Sequence, residues 1–354
     1  VEAYLAGHGI DSHRVPSPCG RKANLFAQIG PPVEGGVILS GHTDVVPVDG
    51  QNWSSDPFTL IERNGRFYGR GTCDMKGFNA LVLALVPEML RKGLKRPIQI
   101  ALSYDEEVGC LGAPSMIAAM RRALPPASAV LVGEPTELGV VTAHKGATGL
   151  ETIVTGHTVH SSLVHRGVSA VMIAAELIHW HSARMAENAA TADPHDPFDP
   201  PYTTLHCGKI EGGTARNLVA SDCSFVTDFR VLPGESVEAW VQKYRSFCDE
   251  VAQRMRRMHP ATGIEVRQGH VLPGCKPEQD GAAETLARQL SGDNAMRAVS
   301  YGTEAGQFQE AGCSACIIGP GSIEQAHQPD EYITVEQFEA GETFLRRVID
   351  RLAA

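Results

Sequence analysis

The chain has 354 residues, which is long enough for two domains. Hydrophobic residues make up 43% and charged residues 20%, a composition that is ordinary for globular proteins. The formal net charge of −10 argues against nucleic acid and anionic membrane surfaces as partners. Nine cysteines without a repeating framework favour a reducing, cytoplasmic setting.

The first 148 residues alternate short apolar runs with helical patterns. Strands are predicted at 37–40, 98–102 and 129–132, and helices at 79–90 and 113–124. Strands alternating with helices predict an α/β fold, with a mostly parallel sheet flanked by helices. No apolar run has the length of a membrane span, and no signal peptide is visible. Because Glu2 to Gly9 has the pattern of a helix end, we expect a segment to precede Val1.

A different pattern occupies residues 149–265. It gives strands at 150–156, 203–210 and 223–231, and helices at 168–184 and 237–258. This order is typical of an α+β, ferredoxin-like unit. Helices at 282–290 and 335–352 around a strand at 315–318 then resume the first pattern. We therefore predict one α/β domain, formed by 1–148 and 266–354, with the smaller domain 149–265 inserted into it.

Acidic and histidine residues follow four of the strand-like runs. These residues are His42 after 37–40, Glu106 and Glu107 after 98–103, Glu134 after 129–132, and His327 beyond 315–318. Ligands bind outside the carboxyl ends of strands in open α/β sheets, so we expect these side chains to meet at one edge. Asp74 lies in the glycine-rich turn 69–77 just before a helix, which can bring its carboxylate to the same edge.

Two imidazoles and three carboxylates form a donor set typical of zinc, or of cobalt or manganese. They are too many for one open catalytic zinc, and they fit two ions sharing a carboxylate, about 3.5–4 Å apart. Asp44, two residues after His42, is predicted to accept the second imidazole N–H. Each residue alone also fits a plainer alternative, such as a loop histidine or a solvated acidic pair. Their joint placement favours the metal site.

Other motifs are absent or structural. The chain has no H-E-x-x-H, G-x-S-x-G, P-loop or G-x-G-x-x-G. His179 and His181 lie two residues apart on a predicted helix and do not share a face, so we interpret both as structural. Cys313 and Cys316 flank an apolar run, which favours core thiols over a redox pair.

Several of these runs resemble the signature motifs of the M20 metallopeptidase family. They are Ser-Gly-His-Thr-Asp-Val-Val-Pro at 40–47, Gly-Arg-Gly-Thr-Cys-Asp-Met-Lys-Gly at 69–77, Asp-Glu-Glu-Val-Gly at 105–109 and Gly-Glu-Pro-Thr at 133–136. Within that family, Thr303-Glu304-Ala305 and the run 319–332 are similar to those of the acetylornithine deacetylases. The related succinyl-diaminopimelate desuccinylases usually have a Ser-Asp-Gly-type run instead. The resemblance covers essentially the whole chain.

The resemblance implies roles for the residues at the sheet edge. Asp74 would bridge two Zn²⁺ ions, for which Co²⁺ would be a substitute, with His42 and Glu134 completing one site and Glu107 and His327 the other. Glu106 would be the general base. The resemblance also implies a cis peptide bond between Asp74 and Met75.

The inserted domain resembles the lid and dimerisation domain of the family. The run 156–162 makes His160 the carbonyl-polarising histidine, supplied across a homodimer, and leaves His157 and His165 as surface residues. Asn217 and Arg230 match lid segments that hold substrate, with Arg230 on the α-carboxylate. Thr303 and Glu304 are expected to bind substrate as well, with Glu304 facing the side-chain ammonium of N2-acetylornithine.

The implied activity is hydrolysis of N2-acetylornithine to ornithine and acetate, a step of arginine biosynthesis. The alternatives are a succinyl-diaminopimelate desuccinylase, an N-acyl amino acid amidohydrolase or a dipeptidase. A non-catalytic binding protein on the same scaffold is a further alternative, against which the intact Glu106 and the five ligands argue.

Overall fold

The computed structural model describes residues 1–354, which form two compact units. The first unit comprises Val1–His144, Cys275–Ala298 and Thr303–Ala354, and the second comprises Lys145–Gly274 and Val299–Gly302. The boundaries of the inserted domain, predicted after residues 148 and 265, lie instead after His144 and Gly274. The reason is that the sheet of the second unit begins with a strand at Gly146 and ends with a strand that reaches Leu272.

The elements are numbered in chain order through both units. The helices are α1 (Glu2–Gly7), α2 (Lys76–Ala84), α3 (Val86–Lys92), α4 (Ala113–Ala123), α5 (Ala170–Ala190), α6 (Val237–Met258), α7 (Ala282–Ser291), α8 (Ala305–Glu310) and α9 (Val335–Ala353). The strands are β1 (Ser12–Pro16), β2 (Ala23–Ile29), β3 (Gly36–His42), β4 (Ile61–Arg63), β5 (Arg66–Tyr68), β6 (Ile98–Ser103), β7 (Ala127–Val132), β8 (Ala143–His144), β9 (Gly146–Thr155), β10 (Thr204–Gly212), β11 (Asp222–Val231), β12 (Gly263–Leu272), β13 (Ala298–Val299), β14 (Ala315–Ile317) and β15 (Tyr332–Thr334). Short 3₁₀ helices cover Ser161–Arg166 and Ile323–Gln325.

The first unit is built on a six-stranded sheet in the order β1-β2-β6-β3-β7-β14. The four strands from β6 to β14 are parallel, whereas β1 and β2 run antiparallel at one edge. Every residue of β3 and β6 is buried, as expected for parallel strands covered by helices on both faces. The predicted mostly parallel α/β sheet is confirmed.

Two local features of the first unit differ from the sequence patterns. The single helix predicted at 79–90 is two helices, because the chain breaks at Leu85 and Pro87, which has no N–H, lies in the first turn of α3. The hairpin of β1 and β2 was not predicted. Its first strand is half-exposed without alternation and ends in a proline, so it lacks the pattern of a strand.

The second unit has the chain order β9-α5-β10-β11-α6-β12. Its four strands form an antiparallel sheet in the order β10-β11-β9-β12. A core that includes Leu177 of α5, Phe225 of β11 and Tyr244 of α6 fills the space between the sheet and its helices. This is the ferredoxin-like arrangement that the sequence predicted. None of the helices in either unit combines the length and apolarity that a membrane crossing requires.

Candidate metal centre

The predicted histidine and acidic side chains that follow adjacent strands of the first unit lie at one edge of its sheet. His42 is the last residue of β3 and pairs in register with Ser103, the last residue of β6. Glu106 and Glu107 follow β6, and Glu134 follows β7, the other neighbour of β3. The parallel register therefore explains why residues far apart in sequence lie together.

Five of the predicted side chains form two groups that share Asp74. His42 Nε2 lies 2.8 Å from Asp74 Oδ1 and 4.0 Å from Glu134 Oε1. His327 Nε2 lies 3.2 Å from Asp74 Oδ2 and 2.9 Å from Glu107 Oε2. Within each group of three residues, the potential ligand atoms all lie within 4.8 Å of one another. Each imidazole thus faces a different oxygen of one carboxylate, which is the arrangement a bridging ligand requires.

The charges of the two groups also fit a cation. Burial alone would lower the pKa of His42, but hydrogen bonds with Asp44 and Asp74 outweigh it and raise that pKa well above its usual value. Hydrogen bonds to Asp74 and then Glu107 raise the pKa of His327 to about 10. Burial, followed by the negative charge of Asp74, raises the pKa of Glu134. The carboxylates therefore stabilise positive charge at this site, as they would for a bound cation. Imidazole and carboxylate donors together fit zinc.

Glu106 is half-buried and lies close enough to these groups to interact electrostatically with His42 and Asp74. Burial raises the pKa of Glu106 to about 7, and Cys110 Sγ donates a hydrogen bond to its Oε1 at 3.2 Å. The backbone amides of Glu106 and Glu107 donate to the two carboxylate oxygens of Asp44, at 3.2 and 3.1 Å. A carboxyl group with a pKa near neutrality, held beside a ligand cluster, has the chemistry of a proton-transfer group.

The contact between His42 and Asp44 differs in detail from the prediction. The Nδ1–H of His42 donates to the backbone carbonyl oxygen of Asp44 at 3.0 Å, while the Asp44 carboxylate lies 3.6 Å away. The carbonyl therefore orients the imidazole ring and leaves Nε2 directed at Asp74. The Asp44 carboxylate holds the loop that carries Glu106 and Glu107 instead.

Two residues that support this edge had no role in the sequence analysis. Asn79 Nδ2 donates to the carbonyl of His42 at 2.6 Å. Glu331, 1% exposed, accepts hydrogen bonds from the turn that leads to Asp74. In a single sequence, an asparagine inside a helix and an acid in a polar loop give no signal of such contacts. The peptide bond between Asp74 and Met75 is cis, as the resemblance implied.

Thr303 and Glu304, predicted to bind substrate, occupy a different environment. They are 0% and 1% exposed, and Glu304 Oε2 accepts a hydrogen bond from Ser40 of β3 at 3.1 Å. Thr303 Oγ1 accepts one from the amide of Ala305 at the start of α8. Protein atoms enclose both side chains, but Oε1 of Glu304 has no hydrogen-bond partner, so their role in substrate binding stays a prediction. Burial raises the pKa of Glu304.

The remaining predicted site residues belong to the second unit. His160 is exposed, and its Nδ1 contacts the Ser162 hydroxyl at 2.8 Å. The backbone of Asn217 accepts a hydrogen bond from Ser161, which places Asn217 beside the His160 segment. Arg230, on β11, forms an ion pair with Asp228 at 2.8 Å.

The two histidines set aside as surface residues also lie in this unit. His165 is exposed, and His157 is half-buried with its ring stacked on His259, at a centroid distance of 3.6 Å. Neither forms part of a histidine and carboxylate group of the kind found around Asp74.

The model of peptidase family M20/M25/M40 matches residues 38–351. An acetylornithine deacetylase of Proteus mirabilis (strain HI4320) is 35% identical over 345 residues, covering 97% of this chain and 86% of that protein. Both comparisons extend through the two units.

Solved structures give the same fold at lower identity. An M20 family metallo-carboxypeptidase of Sulfolobus solfataricus has a TM-score of 0.77 at 16% identity, covering 99% of this chain and 92% of its own. A dinuclear metal-binding peptidase of the M20 family from Bacillus subtilis has a TM-score of 0.65 at 14% identity, covering 99% and 90%. The chain belongs to peptidase family M20/M25/M40 and is a metal-dependent amide hydrolase.

Proposed function

We propose that this chain hydrolyses the N-acetyl amide of N2-acetylornithine with two metal ions, giving ornithine and acetate for arginine biosynthesis. The observation that supports two ions most directly is the sharing of Asp74, whose two oxygens face two different imidazoles. The substrate is supported by the Proteus mirabilis relative, which is named an acetylornithine deacetylase. The Bacillus subtilis peptidase, described as dinuclear, supports the metal count.

The donor set favours Zn²⁺, with Co²⁺ as a substitute. Asp74 would bridge, His42 and Glu134 would hold one ion, and Glu107 and His327 would hold the other. When bound, the two ions would supply Lewis acidity to the amide carbonyl and to the attacking water.

The residues of this chain supply the remaining chemistry. Glu106 takes a proton from the attacking water and returns it to the leaving amine, so one water is consumed per amide cleaved. Arg230 pairs with the substrate α-carboxylate, and Asn217 holds the substrate beside it. His160, supplied by the second subunit of a homodimer formed through the inserted domain, donates a hydrogen bond to the carbonyl oxygen as negative charge develops there. The cytoplasmic setting expected from the cysteines is part of this proposal.

The test is release of acetate and ornithine from N2-acetylornithine by the full chain loaded with Zn²⁺. A panel containing N-succinyl-diaminopimelate, N-acetyl derivatives of uncharged amino acids and a dipeptide separates the alternative activities. We expect the highest kcat/KM on N2-acetylornithine. A higher value on any other member of the panel would replace the substrate and leave the metal chemistry intact.

The general base is tested by Glu106→Gln. We expect kcat to fall about 10²–10⁴-fold while both metals stay bound, because the amide cannot accept the proton. The matched control is Glu310→Gln, which neutralises an exposed carboxylate at the end of α8 in the same unit. Full activity in Glu106→Gln would refute its assignment, and metal loss in that variant would make Glu106 a ligand.

A further inference from the structure

A buried ion pair lies behind the turn that carries Asp74. Arg70 Nη1 and Glu331 Oε2 are 2.6 Å apart, and the two side chains are 1% and 0% exposed. Taking two charges out of water is costly unless each finds further partners, so the other contacts of the pair indicate what it holds in place.

Glu331 holds the backbone that leads into Asp74. Its Oε1 accepts hydrogen bonds from the amides of Gly71, Cys73 and Asp74, at 3.1, 2.9 and 3.0 Å. The Glu331 carbonyl accepts a fourth from Gly69 at 3.0 Å. Three amides on one carboxylate oxygen fix the path of the turn, and therefore the position from which the Asp74 side chain starts.

Arg70 reaches the segment that carries His327. Its Nη2 donates to Gln51 Oε1 at 2.6 Å, and Gln51 Nε2 donates to the backbone carbonyl of His327 at 2.9 Å. Arg70 Nη1 also donates to the carbonyl of Gln328 at 3.4 Å. One continuous set of hydrogen bonds thus joins the backbone of Asp74 to the backbone of His327.

We infer that Arg70, Glu331 and Gln51 are positioning residues that set the placement of Asp74 relative to His327 and so determine metal affinity. None of the three lies in either ligand group. The inference deepens the proposed function and rests on it for the presence of metal ions. Outer residues that orient metal ligands typically contribute about 10–100-fold in affinity or activity.

The experiment is calorimetric titration of the metal-free full chain with Zn²⁺, for wild type and Glu331→Gln. Gln keeps the shape of Glu331 but removes the charge that holds Arg70 and three amides. We expect Zn²⁺ affinity to fall about 10–100-fold. The matched control is Glu88→Gln, which breaks the partly buried ion pair of Glu88 with Arg346 away from the ligands. It is expected to lower stability and leave Zn²⁺ affinity unchanged.

A second variant keeps the inference testable if Glu331→Gln does not fold. Gln51→Ala removes a half-buried loop side chain and leaves the ion pair in place, yet it releases the carbonyl of His327. We expect weaker Zn²⁺ binding and a changed visible absorption spectrum of the Co²⁺-loaded protein, because the spectrum reports ligand geometry. A loss of folding stability alone would not alter that spectrum.

The outcomes separate this inference from the proposed function. The positioning role is overturned if folded Glu331→Gln and Gln51→Ala bind Zn²⁺ with affinities within about threefold of wild type. A wild-type chain that takes up no Zn²⁺ would overturn it as well. A wild type that binds two Zn²⁺ but does not hydrolyse N2-acetylornithine would refute the proposed substrate, while the affinities of the variants still decide the role of the network.

Discussion

His181 gives the second unit a dependence of stability on pH that can be calculated. The side chain is 1% exposed in the core of that unit, and neither ring nitrogen has a hydrogen-bond partner. The rings of Tyr244, Trp180 and Phe229 surround it at centroid distances of 4.4, 5.3 and 5.5 Å. Burial lowers the pKa of His181 to about 4, from an ordinary value of 6.5. The sequence-based interpretation of His181 as structural agrees with this environment.

The sign of the effect follows from which state binds the proton. As pH falls below 6.5, His181 becomes protonated in the unfolded chain but stays neutral in the folded one, so stability decreases until the pH reaches about 4. At about 1.4 kcal/mol per pH unit, the free energy of unfolding loses about 2.5 kcal/mol between pH 7 and about 4.5. This fraction of the total stability is large enough to measure.

The assay is urea unfolding followed by tryptophan fluorescence at pH 7 and at about pH 4.5, because Trp180 and Trp240 both lie in the second unit. His181→Leu should abolish this part of the pH dependence. The matched control is His179→Leu, since His179 is exposed two residues away on α5 and should leave the dependence unchanged. Parallel stability curves for wild type and His181→Leu across this range would refute the reasoning.

Three further predictions concern the metal centre. Zn²⁺ at about 100 times its Kd should stabilise the protein by about 2.7 kcal/mol, seen as a rise in Tm that a chelator reverses, and an unchanged Tm would contradict the site. Gly319→Ala should lower the free energy of unfolding by about 1–3 kcal/mol and lower kcat, because its Cβ would lie 2.1 Å from the carbonyl oxygen of Gly133. The control Gly7→Ala adds a Cβ that meets nothing within 4 Å, so urea unfolding should show no loss of stability. Asn79→Ala should weaken Zn²⁺ binding in a calorimetric titration, because it leaves the carbonyl of His42 without its donor, and an unchanged affinity would show that the carbonyl needs no such partner.

The edge of the sheet was predictable from the sequence because a parallel strand fixes where its following residue lies. His42, Glu107 and Glu134 each come within a few residues of a buried apolar run, and the parallel register brings those runs together. The sequence constrains the positions of Asp74 and His327 less tightly. Asp74 lies in a turn and His327 lies ten residues after β14, so strand ends alone do not place them. The glycine-rich turn around Asp74 and the position of His327 beyond the last strand suggested the same edge, and the family motifs then assigned the five residues to two metal ions.

The interior contacts were not predictable, since they depend on packing between distant segments. The hydrogen bond between Ser40 and Glu304 joins residues 264 apart in sequence, so no local pattern predicts it. The break between α2 and α3 has a simpler cause. Apolar periodicity continues through Leu85, and only the proline in the following turn marks the interruption.

The glutamates near this centre differ in what their carboxylate oxygens face. Glu107, Glu134, Glu304 and Glu331 all lie in or beside loops, and by residue type alone each is an equal candidate. Glu107 and Glu134 face an imidazole nitrogen, at 2.9 and 4.0 Å, and each shares its group with Asp74. Glu304 faces a hydroxyl, and Glu331 faces a guanidinium and backbone amides, whose hydrogens already occupy its oxygens. An imidazole nitrogen and a carboxylate oxygen directed at each other can be joined by a proton or by a metal ion, whereas an oxygen that already accepts hydrogen bonds from amides would lose them on binding a metal.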